Sequence, residues 1–480
     1  MADDMVANAS GAYHMRQTHT GSQGGMNSVS TTLPNDVRNP VAPNSELFLE
    51  RIARWQTSDG RSFATPEVAA RYQQRAQRFS AVLDLRQADR VPTLLMAAGM
   101  IGKLAGITPA DNFYNHAKSA AAARAFIEEF DPEYLMMGAA ATGPAYDALG
   151  YKAYKWPGSS LPNHMQFQYV EGEYMPASDY DALINNPEGY LLRQYLPRVC
   201  DRLQGLRLLP SMTTPVEMLG VSFWLAGLGA PPVQEALQQL ATAANHVRIA
   251  MEQAVRTSSE VIAQFGTPPL MAGVAKAPFD IVADTLRGTE GALTDLYRRP
   301  AKMLAACEAL VPAAIHMGIG GARPGGPPFV FMPLHKGATS FMSFRQFEKF
   351  YWPTFKQVLD GIIAAGLVPL PFVEGSFDEP RLELVAGSGL PSRRTLWLFD
   401  RTDMAVVKRV FGNFAGFGGN VPASLFATGT PAEMEAYCKQ LLEIAAPGGG
   451  FFLAPGAPID NAPREVLHAF RRSVERYGLY

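Results

Sequence analysis

Three apolar runs in the second half of the chain each stop on a residue that can do chemistry. Val368-Pro-Leu-Pro-Phe-Val373 ends at Glu374, Thr395-Leu-Trp-Leu-Phe399 at Asp400, and Phe414-Ala-Gly-Phe-Gly-Gly419 at Asn420. A fourth run, Phe329-Val-Phe-Met332, is followed by Pro333, Leu334, His335 and Lys336. Carboxylates at two neighbouring strand ends raise one another's pKa, and a general acid working near neutrality needs that. Of the eight histidines, His335 alone directly follows such a run, and imidazole titrates in the same range. Taken singly, each of these residues also fits an ordinary polar cap where a strand meets a loop.

Short apolar strands alternating with helices are what would bring such residues together. The residues Met404 to Phe411 have helical spacing between two of the runs, which makes βα units around a parallel sheet. In such folds the carboxyl ends of the strands form the active-site face, so Glu374, Asp400 and Asn420 are expected to converge on one pocket.

Before this region the chain reads as an N-terminal tail (1–44), a helical extension (45–88) and one large domain (89–480). The tail is rich in Ser, Thr, Asn and Gly, and its His14 and His19 are expected to face solvent. Thr65-Pro66-Glu67 starts a helix. Asp89-Arg-Val-Pro92 leads into a first apolar run, and Tyr134-Leu-Met-Met137 is a second strand opening into the loop 138–147. Residues 150–175 read as an aromatic loop carrying Trp156, His164 and several tyrosines, either a substrate-covering lid or an insertion with its own small core. Segments 276–280 and 284–288 read as loop and turn. Thr430-Pro431-Ala432-Glu433 starts a helix that stops at Gly448-Gly-Gly450.

Composition narrows the function. The 480 residues are 47% hydrophobic, enough for a large core, and 42 basic residues nearly balance 44 acidic ones. No basic block occurs, so nucleic acid is not an expected partner. Cys200, Cys307 and Cys438 are far apart and form no Cys-x-x-Cys pair, so they read as packing residues in a reducing cytoplasm. No secretory segment and no apolar run of spanning length is evident, and no membrane role is expected. Walker A, Gly-x-Ser-x-Gly, His-Glu-x-x-His and Gly-x-Gly-x-x-Gly patterns are all lacking, which removes support for nucleotide-driven, serine-hydrolase and hydride-transfer chemistry.

Several motifs carry a family resemblance: Phe341-Met-Ser-Phe-Arg-Gln-Phe-Glu-Lys-Phe-Tyr-Trp-Pro353, Phe372-Val-Glu-Gly375, Phe399-Asp-Arg-Thr-Asp403, Gly419-Asn-Val-Pro422, Gly429-Thr-Pro431 and Gly448-Gly-Gly-Phe-Phe-Leu-Ala-Pro-Gly456. In these the chain resembles the uroporphyrinogen decarboxylase superfamily, which also includes corrinoid-dependent methyltransferases. The resemblance implies an α/β fold, a (β/α)8 TIM barrel with an N-terminal helical extension. The porphyrinogen decarboxylases grip their substrate with an arginine-rich loop and an aspartate motif. The corresponding residues here, 91–99 and 136–143, contain neither arginine nor aspartate. The thiol-methylating branch holds zinc with a His-x-Cys strand end and a later cysteine, and the matching positions here are Phe372, Glu374 and Ala457.

The resemblance therefore implies a demethylase component. It would take a methyl group from a small methoxylated donor and pass it to a corrinoid on a separate carrier protein, with a homodimer left open. Glu374 would be general acid or metal ligand and His335 its partner, with Asp400 and Asn420 positioning the substrate or the base. The donor would lie against Trp156, His164 and the neighbouring aromatics. Zinc or a harder metal on Glu374 and His335 is one alternative. A decarboxylase of a smaller acid, with Lys336 or Arg401 binding the carboxylate, is a second, and a non-catalytic ligand-binding barrel is a third.

Overall fold

The computed structural model describes residues 45–480 apart from 58–59, 98, 138–141, 212, 214 and 324. The expected tail with His14 and His19, and the first part of the loop 138–147, lie outside the described residues. Among the described residues eight parallel strands succeed one another: β1 Leu94–Ala97, β2 Tyr134–Met137, β3 Met271–Val274, β4 Phe329–Leu334, β5 Val368–Val373, β6 Leu396–Phe399, β7 Gly416–Val421 and β8 Phe451–Pro455. The strands β3 to β8 form one parallel sheet in sequence order. Parallel bridges from Thr93 to Leu453 and from Ala97 to Ile459 join β8 to β1, which pairs with β2. This is the (β/α)8 arrangement. All six residues of β5 are buried, as expected of a strand covered on both faces.

Two helices precede the barrel, Ser45–Gln56 and Pro66–Leu83. The second begins with the Thr65 hydroxyl accepting from Val68 N and with Pro at its start. Their Phe48, Trp55 and Phe79 join Leu94, Phe329, Leu370, Leu396 and Phe452 in one buried cluster, the barrel interior. Trp55 is fully buried, meets Phe329 edge-on at 5.6 Å, and donates from Nε1 to Pro269 O at 2.9 Å. Phe329 opens β4 and Pro269 precedes β3, so these helices close the amino-terminal end of the barrel and leave the opposite end for chemistry.

A second cluster, with Phe355, Trp397, Phe399 and Phe411, fills the space between strands and outer helices. Helix Pro300–Ile319 is long and apolar enough to cross a membrane by length and composition. Its Met303, Ala306, Cys307, Leu310 and Ala314 are buried in that cluster. All three cysteines are free and buried, in keeping with packing roles.

Helix Pro431–Ala445 has a full capping box between Thr430 and Glu433. Thr430→Ala removes the acceptor for Glu433 N, and urea unfolding should show a loss of about 1 kcal/mol. The three glycines after this helix all have positive φ, and a Cβ on Gly449 would lie 2.4 Å from the Arg86 carbonyl carbon. The helix stop is thus also the point where the chain passes against the N-terminal extension.

Four local readings change. Strand β3 has no counterpart among the expected strands. The stretches 276–280 and 284–288, read as loop and turn, are joined by the helical turn Pro278–Asp280 continued by a π-turn, Ile281–Leu286. Proline at the first position with its preset φ favours this start. The helical spacing of Leu191 to Gln204 predicts a single helix, and the structure breaks it into Leu191–Tyr195, Leu196–Val199 and Asp201–Leu208, with Cys200 extended at φ −132°. Finally, Asn420 lies inside β7, paired with Ala454, and does not end it.

Candidate active site

The carboxyl ends of β3 to β6 supply the polar groups. Beyond β3, the helical turn and π-turn set Asp280 and Asp284 four residues apart, about one turn, on one face. Asp280 is fully buried. Its Oδ2 accepts from His335 N at 3.0 Å and from the Tyr351 hydroxyl at 2.7 Å, and its Oδ1 accepts from Lys336 N at 2.9 Å. One buried carboxylate therefore holds the backbone that leaves β4, and with it the direction of both side chains.

Asp284 Oδ2 lies 2.5 Å from His335 Nδ1 and accepts from Lys276 Nζ at 2.6 Å, while Lys336 Nζ stands 3.5 Å from Oδ1. On the other side of the ring, His335 Nε2 is 3.4 Å from Glu374 Oε1. Side-chain exposure rises outward along this line, from 14% at Asp284 to 31% at His335 and 42% at Glu374. Glu374 is followed by Gly375, whose N–H donates to Asp400 Oδ2 at 3.0 Å. Gly456, beyond β8, also closes on Asp400: an added Cβ would be 3.0 Å from its Oδ1. Arg401 Nε is 3.6 Å from Asp400 Oδ2, with its side chain 82% exposed at the mouth.

Electrostatics give these groups distinct states. Burial opposes the charge on His335, but the hydrogen bonds to Asp284 and Glu374 outweigh it and raise the imidazole to about 9. For Asp284 burial likewise favours the neutral acid, yet the His335 hydrogen bond and the Lys276 ammonium bring it down to about 2. The pair is thus an imidazolium beside a carboxylate. Asp280 is pushed upward by burial and by the Asp284 charge, and Asp400 upward by burial, with Glu374 adding to it.

His335 carries a folded-state value above its ordinary 6.5. Its contribution to stability is therefore full below about pH 6.5 and lost as pH rises through about 9. Asp284→Asn removes the negative charge and leaves one carbonyl acceptor in place of the carboxylate. The ring should then lose its proton at a clearly lower pH than in the wild type, as followed by NMR titration of the imidazole C–H resonances. An unchanged titration would show that Glu374 alone holds the proton.

The structure brings together His335, Lys336, Glu374, Asp400 and Arg401. Asn420 donates from Nδ2 to Thr402 O at 2.9 Å, and the Tyr437 hydroxyl is 3.5 Å from its Oδ1, so the amide braces the β6 loop. Trp156 is buried at 4% exposure, with its Nε1 donating to the Tyr114 hydroxyl at 2.9 Å. His164 is exposed. The aromatic segment does reach the cluster by another residue: the Tyr169 hydroxyl donates to the Asp284 carbonyl. Tyr154 packs on Tyr169 at 5.3 Å. A two-residue hairpin, Tyr154–Lys155 with Gln168–Tyr169, orders these rings.

Lys276, Asp280, Asp284 and Tyr351 were not among the expected site residues. Their signal was present: Leu270-Met-Ala-Gly-Val274 is a short apolar run after Pro268-Pro269, and it ends two residues before a lysine. For zinc on Glu374 and His335 a third donor is needed. Among the described residues no group of three or more His, Cys, Asp or Glu side chains is disposed to hold a metal. Glu374 and His335 thus have no third protein donor among the described residues, and the reading below uses the cluster as a proton donor.

The family model described as uroporphyrinogen decarboxylase (URO-D) matches residues 166–477. Among solved structures, a methyltransferase from Methanosarcina mazei aligns with a TM-score of 0.51 and 16% identity, covering 83% of this chain and 98% of that chain. Such a likeness bears on the fold alone. No protein of curated function matches the chain.

Proposed function

We propose, from the premise that the chain belongs to the uroporphyrinogen decarboxylase family, that it removes a methyl group from a small methoxylated compound. The observation that carries this reading is His335, protonated and held between Asp284 and Glu374 at the barrel mouth. A methoxy oxygen placed against Nε2 would receive that proton as the C–O bond breaks and its electron pair stays on oxygen. The leaving group emerges as a neutral phenol or alcohol. A phenol titrates near 10, so an imidazolium of about 9 is matched to the transfer. Asp284 keeps the ring oriented and charged, and half-exposed Glu374 returns a proton from solvent. Lys336, its ammonium 4.5 Å over the Phe341 ring, lines the same space.

The methyl acceptor would be the cobalt(I) of a corrinoid on a separate protein, which supplies the nucleophile at the methyl carbon. Glu374 and Arg401 are open enough at the mouth for a macromolecular acceptor to approach. Incubation with cob(I)alamin and a panel of methoxyarenes should form methylcobalamin, read by absorbance. A second reading, decarboxylation of a small acid, is favoured by one observation: Lys276, Lys336 and His335 place three cations around Asp284, leaving positive charge for a substrate carboxylate. Carbon dioxide release without methylcobalamin would select it and overturn the first.

A further inference from the structure

The segment that carries Tyr169 is fastened along the turn bearing Asp284. Tyr169 donates to the Asp284 carbonyl, Glu171 Oε1 accepts from Thr289 N at 2.7 Å, the Arg287 guanidinium reaches Glu173, and Met175 N donates to Leu286 O at 2.7 Å. Three residues before Tyr169 the same segment meets the ends of β1 and β8. A Cβ on Gly99 would sit 2.0 Å from Gln166 Nε2, and Gly99 N donates to Asp460 Oδ1 at 3.0 Å. Residues 166–175 therefore roof the β1-to-β3 side of the mouth and leave the side of Glu374 and Arg401 open. Charge places Tyr154 and Tyr169 beside the cluster. Burial raises the Tyr154 hydroxyl, with Lys276 and Asp284 acting on it in opposite senses, and Asp284 adds to the burial that raises Tyr169. Between them, the same stretch of chain buries Trp156 to 4% exposure, whereas Tyr154 and Tyr169 stay 38% and 42% exposed. Their rings meet at 5.3 Å with planes tilted by 58°, so the pair keeps open ring faces after packing on itself.

We propose that Tyr154 and Tyr169 determine specificity, forming the wall on which a donor lies, so that the site prefers a flat aromatic ring over a saturated ring of equal size. Both rings bury apolar area against such a wall. Only the flat one also gains from offset or edge-to-face contact between π-systems, roughly 2- to 10-fold in affinity per pair. Tyr169 has a further part. Its hydroxyl holds the main chain of Asp284, the residue that orients His335, so the wall and the proton donor are fixed to one turn. The inference rests on the proposed function in taking the ligand to be a methyl ether, and it adds which residues choose among ethers.

Anisole and cyclohexyl methyl ether test it, because they match in size and in the methoxy oxygen and differ in the flat ring. Each is titrated into the full chain without corrinoid, and binding is followed by ligand-observed NMR. The wild type is expected to hold anisole on the order of 10-fold more tightly. The preference should fall toward unity in Tyr154→Leu and in Tyr169→Leu. Tyr169→Phe, which keeps the ring and loses only the bond to the Asp284 carbonyl, should retain it. Equal affinities in the wild type overturn the proposal, as does a preference unchanged in both leucine variants or no binding of either ether up to its solubility. Should the leucine variants fail to fold, wild-type protein protonated only at its tyrosines should show nuclear Overhauser effects from tyrosine ring protons to anisole, and their absence overturns the proposal. No turnover enters these measurements. Ring preference without methylcobalamin formation would sink the proposed reaction alone, and methyl transfer without ring preference would sink this inference alone.

Discussion

His335→Gln should lower the rate of methyl transfer by roughly 10²- to 10⁴-fold, the usual contribution of a positioned general acid. Glutamine retains a side chain able to hydrogen bond toward Asp284 and Glu374 but has no proton to give. The loss should therefore fall on kcat, with KM little changed. The dependence on leaving group discriminates further: the variant should retain most rate on donors whose phenol is most acidic, because those need the proton least. The wild-type rate should fall as pH rises through about 9, where the imidazolium is lost, and the variant should lack that limb. An equal loss on every donor, with the limb intact, would give His335 a merely structural part.

The second large effect is on stability. Asp280→Leu removes the acceptor for His335 N, Lys336 N and the Tyr351 hydroxyl together. Three donors would then be buried unpaired, and a loss of roughly 3–5 kcal/mol is expected in urea unfolding. Asp280→Asn keeps one carbonyl acceptor and should cost roughly half as much. The asparagine variant separates folding from function: it should remain folded yet misplace His335. A loss below about 1 kcal/mol for Asp280→Leu would mean that other groups or water take over the three donors.

Half of this site was legible because of how the strands end. The strands β4, β5 and β6 are rich in large apolar residues and are followed by charged ones, so His335, Glu374 and Asp400 stood out. The strand β3 escaped notice for a packing reason. A Cβ on its Gly273 would sit 2.3 Å from the Gly318 carbonyl oxygen, so the close approach of helix Pro300–Ile319 forbids a large apolar residue there. With the strand disguised, Asp280 and Asp284 looked like loop residues. Asn420 misled for the opposite reason: a polar side chain ends an apolar run but does not end a backbone ladder, and its pairing with Ala454 continues. Trp156 drew attention as an aromatic in a loop, yet its indole fills a pocket with Tyr114 and Tyr146. The alternation of runs pointed to βα units around a parallel sheet and the resemblance to the (β/α)8 barrel, whereas the helix Met218–Leu228 left no mark distinguishing it from core.

The closure of the barrel floor by Trp55 and Phe79 bears on how the molecule can be divided. The region matched by the family model, 166–477, lacks β1, β2 and both floor helices. Cut out alone, it would leave β8 without its neighbour and open a channel lined by Phe329, Leu370, Leu396 and Phe452 to water from below. The stretch that defines membership is therefore smaller than the unit that folds, which takes in the helix Ser45–Gln56.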